Sequence, residues 1–352
     1  MLTELRNQQT QKIPSHSVFN NWDVITEGWY YVCGSKELTR NSVKSFKICG
    51  QHIAVFRNSK GELAAMDGYC AHMGVDLGIG SVVDDKIQCY FHHWKYDKSG
   101  NCVHIPAQKE IPKKSCLNTY AIQEEYGVIW IYPASEATQK VLEVPELKDR
   151  EVLVSLGEPY ERTCHHHITM INGIDPQHLK TVHNIQMDMD LNIEMVNEAT
   201  IDIELSGTIP NERFIEKLSR IFIGSNYGYS MRYQFTTLAA LTTLKQTKLF
   251  GKFDIIPVMN MIFSYQTIEP GRTKVVPIFI TKKRRGIHGF LFSLLWLQLS
   301  KLAFKVLQDE DGAVYDNIRF NSGNLLTIDK PITKYIGFVN RLKSSPWSRV
   351  ES

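Results

Sequence analysis

From Trp29 to about Tyr132 the chain alternates short apolar runs with turn signals. The runs are Trp29 to Val32, His52 to Phe56, Lys86 to Tyr90 and Val128 to Tyr132, separated by Asn58-Ser59-Lys60-Gly61 and Asp97-Lys98-Ser99-Gly100. Short β-type runs bounded by Gly, Asn, Asp and Ser predict strands joined by tight turns. The pattern predicts an N-terminal segment (1–26) followed by a small all-β domain (27–135). Pro133 to Glu146, polar and bracketed by Pro133 and Pro145, reads as a linker.

The second domain (136–352) has mixed periodicity. Strand-like runs return after Glu151, with further strands expected at Ala199 to Leu205, Met231 to Leu241, Lys252 to Tyr265 and Lys274 to Ile280. Asn172 to Asn184 has helical spacing. Phe290 to Phe320 is proline-free with apolar residues at helical intervals, which predicts one long or broken helix. The fold class expected is α+β, an all-β domain followed by a sheet with helices packed on it.

Composition narrows the function. The 352 residues are 43% hydrophobic and 22% charged, values of an ordinary soluble globular protein with room for two cores. A net charge of +3 is too mild for a nucleic-acid binder. Seven scattered cysteines do not resemble a disulfide framework, and Cys33, Cys49, Cys102 and Cys116, which have no C-x-x-C partners, read as small core residues. Met1 to Ser15 is polar and no run of about 18 uninterrupted apolar residues occurs, so a cytoplasmic protein is expected.

Two mixed pairs then stand out: Cys70-Ala71-His72 and, after sixteen residues, Cys89-Tyr90-Phe91-His92. A Rieske-type [2Fe–2S] cluster binds one iron through two thiolates and the other through two imidazoles, so two loops each presenting one of each suit it. Structural zinc also takes two Cys and two His, but zinc-finger spacing pairs like with like. Gly74, Gly78 and Gly80 permit tight loops, and Trp94 and Tyr96 follow the second pair.

Cys70 to Asp97 resembles the Rieske loops of ring-hydroxylating oxygenases, above all those of 3-ketosteroid 9α-hydroxylase oxygenases, whose first loop also reads C-x-H-M-G-x-D-L. The second loop departs from the family's C-P-x-H-G-W: Tyr90 stands for the proline and His93 for the glycine. The C-x-x-H spacing selects His92 as ligand, leaving His93 as a neighbour.

A hundred residues on, Asp175, His178 and His183 fall on neighbouring turns of a helix or interrupted helix. Two histidines and a distant carboxylate form the facial triad of non-haem Fe(II) oxygenases, with positions left open for dioxygen. The carboxylate is sought in Gln308-Asp309-Glu310-Asp311, an acidic cluster whose plain reading is a solvated helix face.

Both constellations together resemble the oxygenase α subunit of Rieske non-haem iron oxygenases across nearly the whole chain. That resemblance singles out Asp311 as the third iron ligand, with Asp309 second. It implies Asp175 as a bridge between an iron-ligand histidine and a cluster-ligand histidine of a neighbouring subunit, hence a homotrimer, and Asn172 joins Asp175 as a candidate catalytic residue. It further implies a separate ferredoxin or flavin reductase, dioxygen as co-substrate, monooxygenation rather than dihydroxylation, and a bulky hydrophobic substrate such as a sterol, isoprenoid or tetrapyrrole. An electron carrier with a non-catalytic second domain is the alternative.

Two further features carry open readings. Cys164-His165-His166-His167, read as a strand, would send alternate side chains to opposite faces, which favours a structural or pocket-lining role over metal ligation. Lys282-Lys283-Arg284-Arg285 and the apolar residues to Leu299 read either as a segment resting on an anionic membrane or as a buried helix.

Overall fold

A computed structural model describes residues 17–349 except 185, 254 and 255. The first domain carries eleven short strands among the described residues. They are β1 (Tyr30–Gly34), β2 (Ser42–Ile48), β3 (Gln51–Arg57), β4 (Leu63–Asp67), β5 (Ser81–Val83) and β6 (Lys86–Gln88). Then come β7 (Lys95–Tyr96), β8 (Cys102–His104), β9 (Thr119–Tyr120), β10 (Ile122–Glu125) and β11 (Val128–Ile131). They form sheets ordered β2-β3-β4-β9, β5-β6-β7-β8 and β1-β11-β10, all pairings antiparallel.

The second domain is built on one antiparallel sheet. In chain order it comprises β12 (Val152–Leu156), β13 (Tyr160–Arg162), the helices α1 (His166–Asn172) and α2 (Pro176–Thr181), β14 (Met189–Asn197) and β15 (Thr200–Thr208). Helix α3 (Phe214–Ile223) precedes β16 (Asn226–Gln234), β17 (Leu238–Lys245), β18 (Met259–Glu269) and β19 (Arg272–Lys282). Helices α4 (Gly286–Tyr315) and α5 (Lys330–Val339) complete it. The sheet order is β12-β19-β18-β17-β16-β15-β14, with β13 also on β19. Pro277, inside β19, falls where its neighbour changes from β13 to β12, a break at which a missing amide costs no ladder bond.

The expected α+β class is observed, and three local expectations are corrected. Met231 to Leu241 is not one strand: β16 and β17 form a hairpin whose turn begins at Phe235 with φ +51°. The apolar pattern runs straight through this turn and only Thr236-Thr237 breaks it, so no Gly or Pro marks the reversal. The polar stretch after Pro133 is packed rather than loose, with Val141, Leu142 and Val144 buried. The Trp29 indole donates to the Gln139 carbonyl at 2.8 Å, holding that stretch down. Finally, Cys116 is exposed, not a core cysteine.

Trp29, Tyr31, Trp130 and Tyr132 from the first domain share one continuous core with Tyr233, Phe235, Phe263 and Phe279 of the second. The chain's end returns to the first domain, where Trp347 packs between Tyr30 and Tyr120. A separate core, including Leu77, Ile87 and Tyr96, lies under Cys70 and Cys89.

Candidate metal centres

The two cysteine loops are built alike. The Cys70 amide donates to the Val75 carbonyl and the Cys89 amide to the Trp94 carbonyl, both at 2.9 Å. Each loop is then closed by the fourth residue after its cysteine: Gly74 donates back to the Cys70 carbonyl and His93 to that of Cys89. Gly74 and His93 both have positive φ, +74° and +56°. The position where the resembling family has glycine therefore has left-handed backbone here, a conformation glycine adopts without strain and histidine only occasionally. Gly78 abuts Ser45 so closely that a side chain would collide with it. Asp76 pins the same loop by accepting from the Gly78 amide at 2.7 Å and from the Ser45 hydroxyl.

These loops bring the expected donors together in pairs, Cys70 with Cys89 and His72 with His92. His72 and His92 lie with ring centroids 4.6 Å apart, and His72 stacks on Trp94 at 4.5 Å. Cys70 and Cys89 are buried while both histidines are exposed. Burial pushes the Cys89 thiol up, and the adjacent Cys70 sulfur adds to it. Two neighbouring buried sulfurs and two adjacent exposed imidazoles on the same pair of loops suit a [2Fe–2S] cluster with its histidine edge at the surface. His93, one residue on, is exposed.

The second site assembles on α1, α2 and α4. Asp175 is the N-cap of α2: its Oδ1 accepts from the Gln177 amide at 2.8 Å, and Pro176 occupies the first helical position. His178 Nδ1 sits 2.7 Å from the Asp175 backbone oxygen, which directs Nε2 outward as a ligand. The bond expected between Asp175 and this histidine thus runs through the Asp175 carbonyl, its Oδ1 being engaged by the helix amides. The helix ends at Thr181, so His183 lies beyond an interruption, its amide still reaching the His178 carbonyl at 3.4 Å.

His178, His183 and Asp311 place their ligand atoms within 4.8 Å of one another. Burial holds the His178 imidazole below its ordinary range, whereas the Asp311 carboxylate beside His183 holds that ring above it. Asp311 Oδ1 is 3.3 Å from His183 Nε2 and buried without a well-formed hydrogen bond. Two imidazoles and an underused carboxylate on one side of a cavity match the donor set for a mononuclear iron. Asp309 is exposed. Sequence reasoning overlooked Glu310, whose Oε2 lies 2.6 Å from His183 Nδ1 and fixes the ring's orientation. Its position beside Asp311 in the acidic cluster was the available signal.

The triad opens onto a cavity of about 190 Å³ between the sheet and α4. Asn172, Tyr227, Tyr229, Met259, Phe263 and Phe304 contribute to its walls. Two further aromatic residues of this domain, Tyr233 and Phe235, belong to the core instead, and Phe222 of α3 is exposed. Two polar groups in this mostly apolar cavity, the Tyr229 hydroxyl and Arg162 Nε, are buried without partners.

His165, His166 and His167 correct the strand reading. They open α1, and their ring nitrogens cluster within 4.8 Å. His165 Nδ1 accepts from the His167 amide, and its Nε2 lies 3.2 Å from the Asn21 carbonyl. His167 Nδ1 accepts from the Asn20 amide at 2.8 Å. Burial holds all three well below the ordinary histidine range, so they are neutral and pin residues 19–22 to the second domain.

Comparison with known proteins agrees with this geometry. Residues 28–121 match the family model described as Rieske [2Fe-2S] domain. The chain is 33% identical over 168 residues to "Cholesterol 7-desaturase nvd" of Bombyx mori, covering 47% of this chain and 37% of that protein. It is 29% identical over 191 residues to "Aminopyrrolnitrin oxygenase PrnD" of Pseudomonas fluorescens, covering 51% and 52%. The chain thus spans about half or less of the curated relatives it matches. NdmB of Pseudomonas putida CBB5 shares the fold over 89% of both chains, with a TM-score of 0.65 at 16% identity. Residues 28–121 are thus a Rieske [2Fe–2S] domain, and an α+β second domain follows it. The relatives it matches are named as a desaturase and an oxygenase, the fold is shared with NdmB, and the resemblance read from the two motifs is borne out.

Proposed function

We propose that the chain is the terminal oxygenase of a Rieske system, oxidising a bulky hydrophobic substrate with dioxygen and electrons from a separate ferredoxin or flavin reductase. The observation that carries this reading is the joining of His178, His183 and Asp311 at the wall of an apolar cavity. An electron carrier would need no such cavity.

When bound at the four Rieske ligands and at the triad, the cluster and the iron supply one-electron transfer and dioxygen activation. The protein's residues do the rest. His178, oriented by the Asp175 carbonyl, and His183, oriented by Glu310, would hold the iron together with Asp311 at the wall of the cavity that would receive the substrate. Tyr229 and Arg162 offer hydrogen bonds to an oxygen on the substrate, while Phe263, Phe304 and Met259 exclude water from its apolar body. Asn172 lines the same space.

The cluster end supports a homotrimer in which Asp175 faces a neighbour's cluster histidine. Exposed Met73, Ile79, Tyr90 and Phe91 surround exposed His72 and His92, an apolar rim that a neighbouring subunit would cover. Hydroxylation, with demethylation or desaturation as related outcomes, is favoured over dihydroxylation. A cytoplasmic protein with residues 282–299 resting on a membrane fits a sterol, isoprenoid or tetrapyrrole substrate.

The test is a substrate screen. Iron-loaded, chemically reduced protein incubated under ¹⁸O₂ with panels of sterols, isoprenoids and tetrapyrroles should give a product carrying one labelled oxygen or lacking two hydrogens. Absence of product and of oxygen uptake across all three panels would contradict the proposal.

A further inference from the structure

Helix α4 is apolar where a surface helix is normally charged. Its 286–300 stretch contains no Asp, Glu, Lys or Arg. Only a narrow stripe, Ser293, Leu297 and Ser300, is buried against the sheet. The opposite line, Ile287, Leu291, Leu295, Leu302 and Val306, is exposed, with Ile287 at 72% and Leu302 at 62%. These positions follow helical spacing, so they form one continuous apolar face. Of the two readings of this segment, the buried helix does not hold.

A second exposed apolar group joins it. Phe214, Ile221 and Phe222 of α3 and Phe250 and Phe253 of the loop after β17 all face solvent, Phe214 at 81%. The loop is bound to the helix by Lys248 and Phe250 amides donating to the Ile223 and Phe222 carbonyls. It leads toward Val258, whose carbonyl accepts from the Trp296 indole of α4 at 3.2 Å. The two groups therefore sit on elements that meet beside the cavity, whose wall includes Tyr227 next to α3, Met259 after the loop, and Ala303, Phe304 and Leu307 of α4.

Cations border both groups. Lys282, Lys283, Arg284 and Arg285 precede α4, lining a surface recess with Asp149, Arg150 and Glu151, where Lys283 pairs with Glu151 at 3.1 Å. Lys217, Lys248 and Lys252 are exposed around the aromatic loop, against Glu212 just before α3 and Glu216 on its first turn. Apolar side chains flanked by lysine and arginine complement a layer of acyl chains beneath anionic headgroups.

We propose that α3, the 247–253 loop and α4 together form a face that docks in the plane of an anionic lipid leaflet, with the mouth of the cavity opening toward the acyl chains. Helix α4 lies along the membrane and does not cross it. Its buried stripe is fixed to the sheet, and its last turns carry Glu310 and Asp311 beside His183. The route for substrate rests on the oxygenase reading, but the docking does not. A cavity of about 190 Å³ is smaller than the roughly 300–1,000 Å³ usual for ligand sites, so a bulky substrate extends through its mouth, where lipid contact is useful.

The full chain, with its metals in place, is tested by flotation with vesicles of phosphatidylcholine alone and with about a third phosphatidylserine, at low and physiological salt. Binding to the anionic vesicles, weakened by salt and reduced about tenfold or more by Leu291→Glu with Leu295→Glu, is expected. Phe250→Ser with Phe253→Ser should weaken it as well. No binding to either vesicle, or equal binding by these variants, would overturn the proposal. So would a soluble oligomer that dissociates when Leu291 and Leu295 are changed, because a second copy would then cover the face. Retention after alkaline carbonate washing would overturn the in-plane arrangement. His178→Ala separates the two readings: it should abolish oxidation while vesicle binding is unchanged.

Discussion

The Tyr96 hydroxyl lies 3.2 Å from Cys70 Sγ and accepts a hydrogen bond from the Ala71 amide at 3.1 Å, so its own proton is directed at the sulfur. A donor to a cluster ligand stabilises the added electron. Tyr96→Phe should therefore lower the reduction potential, by on the order of tens of millivolts for one hydrogen bond, without loss of iron. An unchanged potential, followed by optical titration, would show that this hydroxyl does not tune the cluster.

Asp175→Asn separates the two roles of that residue. Asparagine is as good an N-cap as aspartate, so α2 and the carbonyl that orients His178 are retained. Iron content should stay at the unsubstituted level while turnover falls about a hundredfold. Turnover equal to the parent's would remove the bridging role.

Tyr229→Phe deletes a hydroxyl that is buried in the cavity wall without a partner. If it grips an oxygen on the substrate, KM should rise about two- to tenfold, with the folded protein as stable as before or slightly more so. A substrate affinity that does not move would place that hydroxyl outside recognition.

His167→Ala addresses the three-histidine cluster. The change loses the stacking with Phe19 and the acceptor for the Asn20 amide, and should destabilise by about 2–4 kcal/mol. Metal content should be unaltered. A loss of bound metal would instead make the cluster a ligand set.

Much of this was legible in the sequence because it depends on local spacing. C-x-H and C-x-x-H fix which donors each turn can present, and the structure sets Cys70 beside Cys89 and His72 beside His92. His178 and His183 were visible for the same reason. Asp311 was found by resemblance, since no local rule links position 311 to position 183. The hairpin at Phe235 was hidden because its turn lacks Gly or Pro, and the histidine cluster was misread because helix α1 begins at His166, with no Pro or acidic residue to announce it. Helix α4 was correctly anticipated as a helix. Which of its faces meets the sheet depends on tertiary packing, which periodicity alone cannot supply where both faces are apolar.

Metal and sulfide analysis tests the central claim most directly. The account predicts three irons and two acid-labile sulfides per chain with a Rieske-type spectrum, and loss of one iron alone in His183→Ala. Two irons in the parent protein would contradict the oxygenase site, and zinc with no visible absorption would contradict the cluster itself.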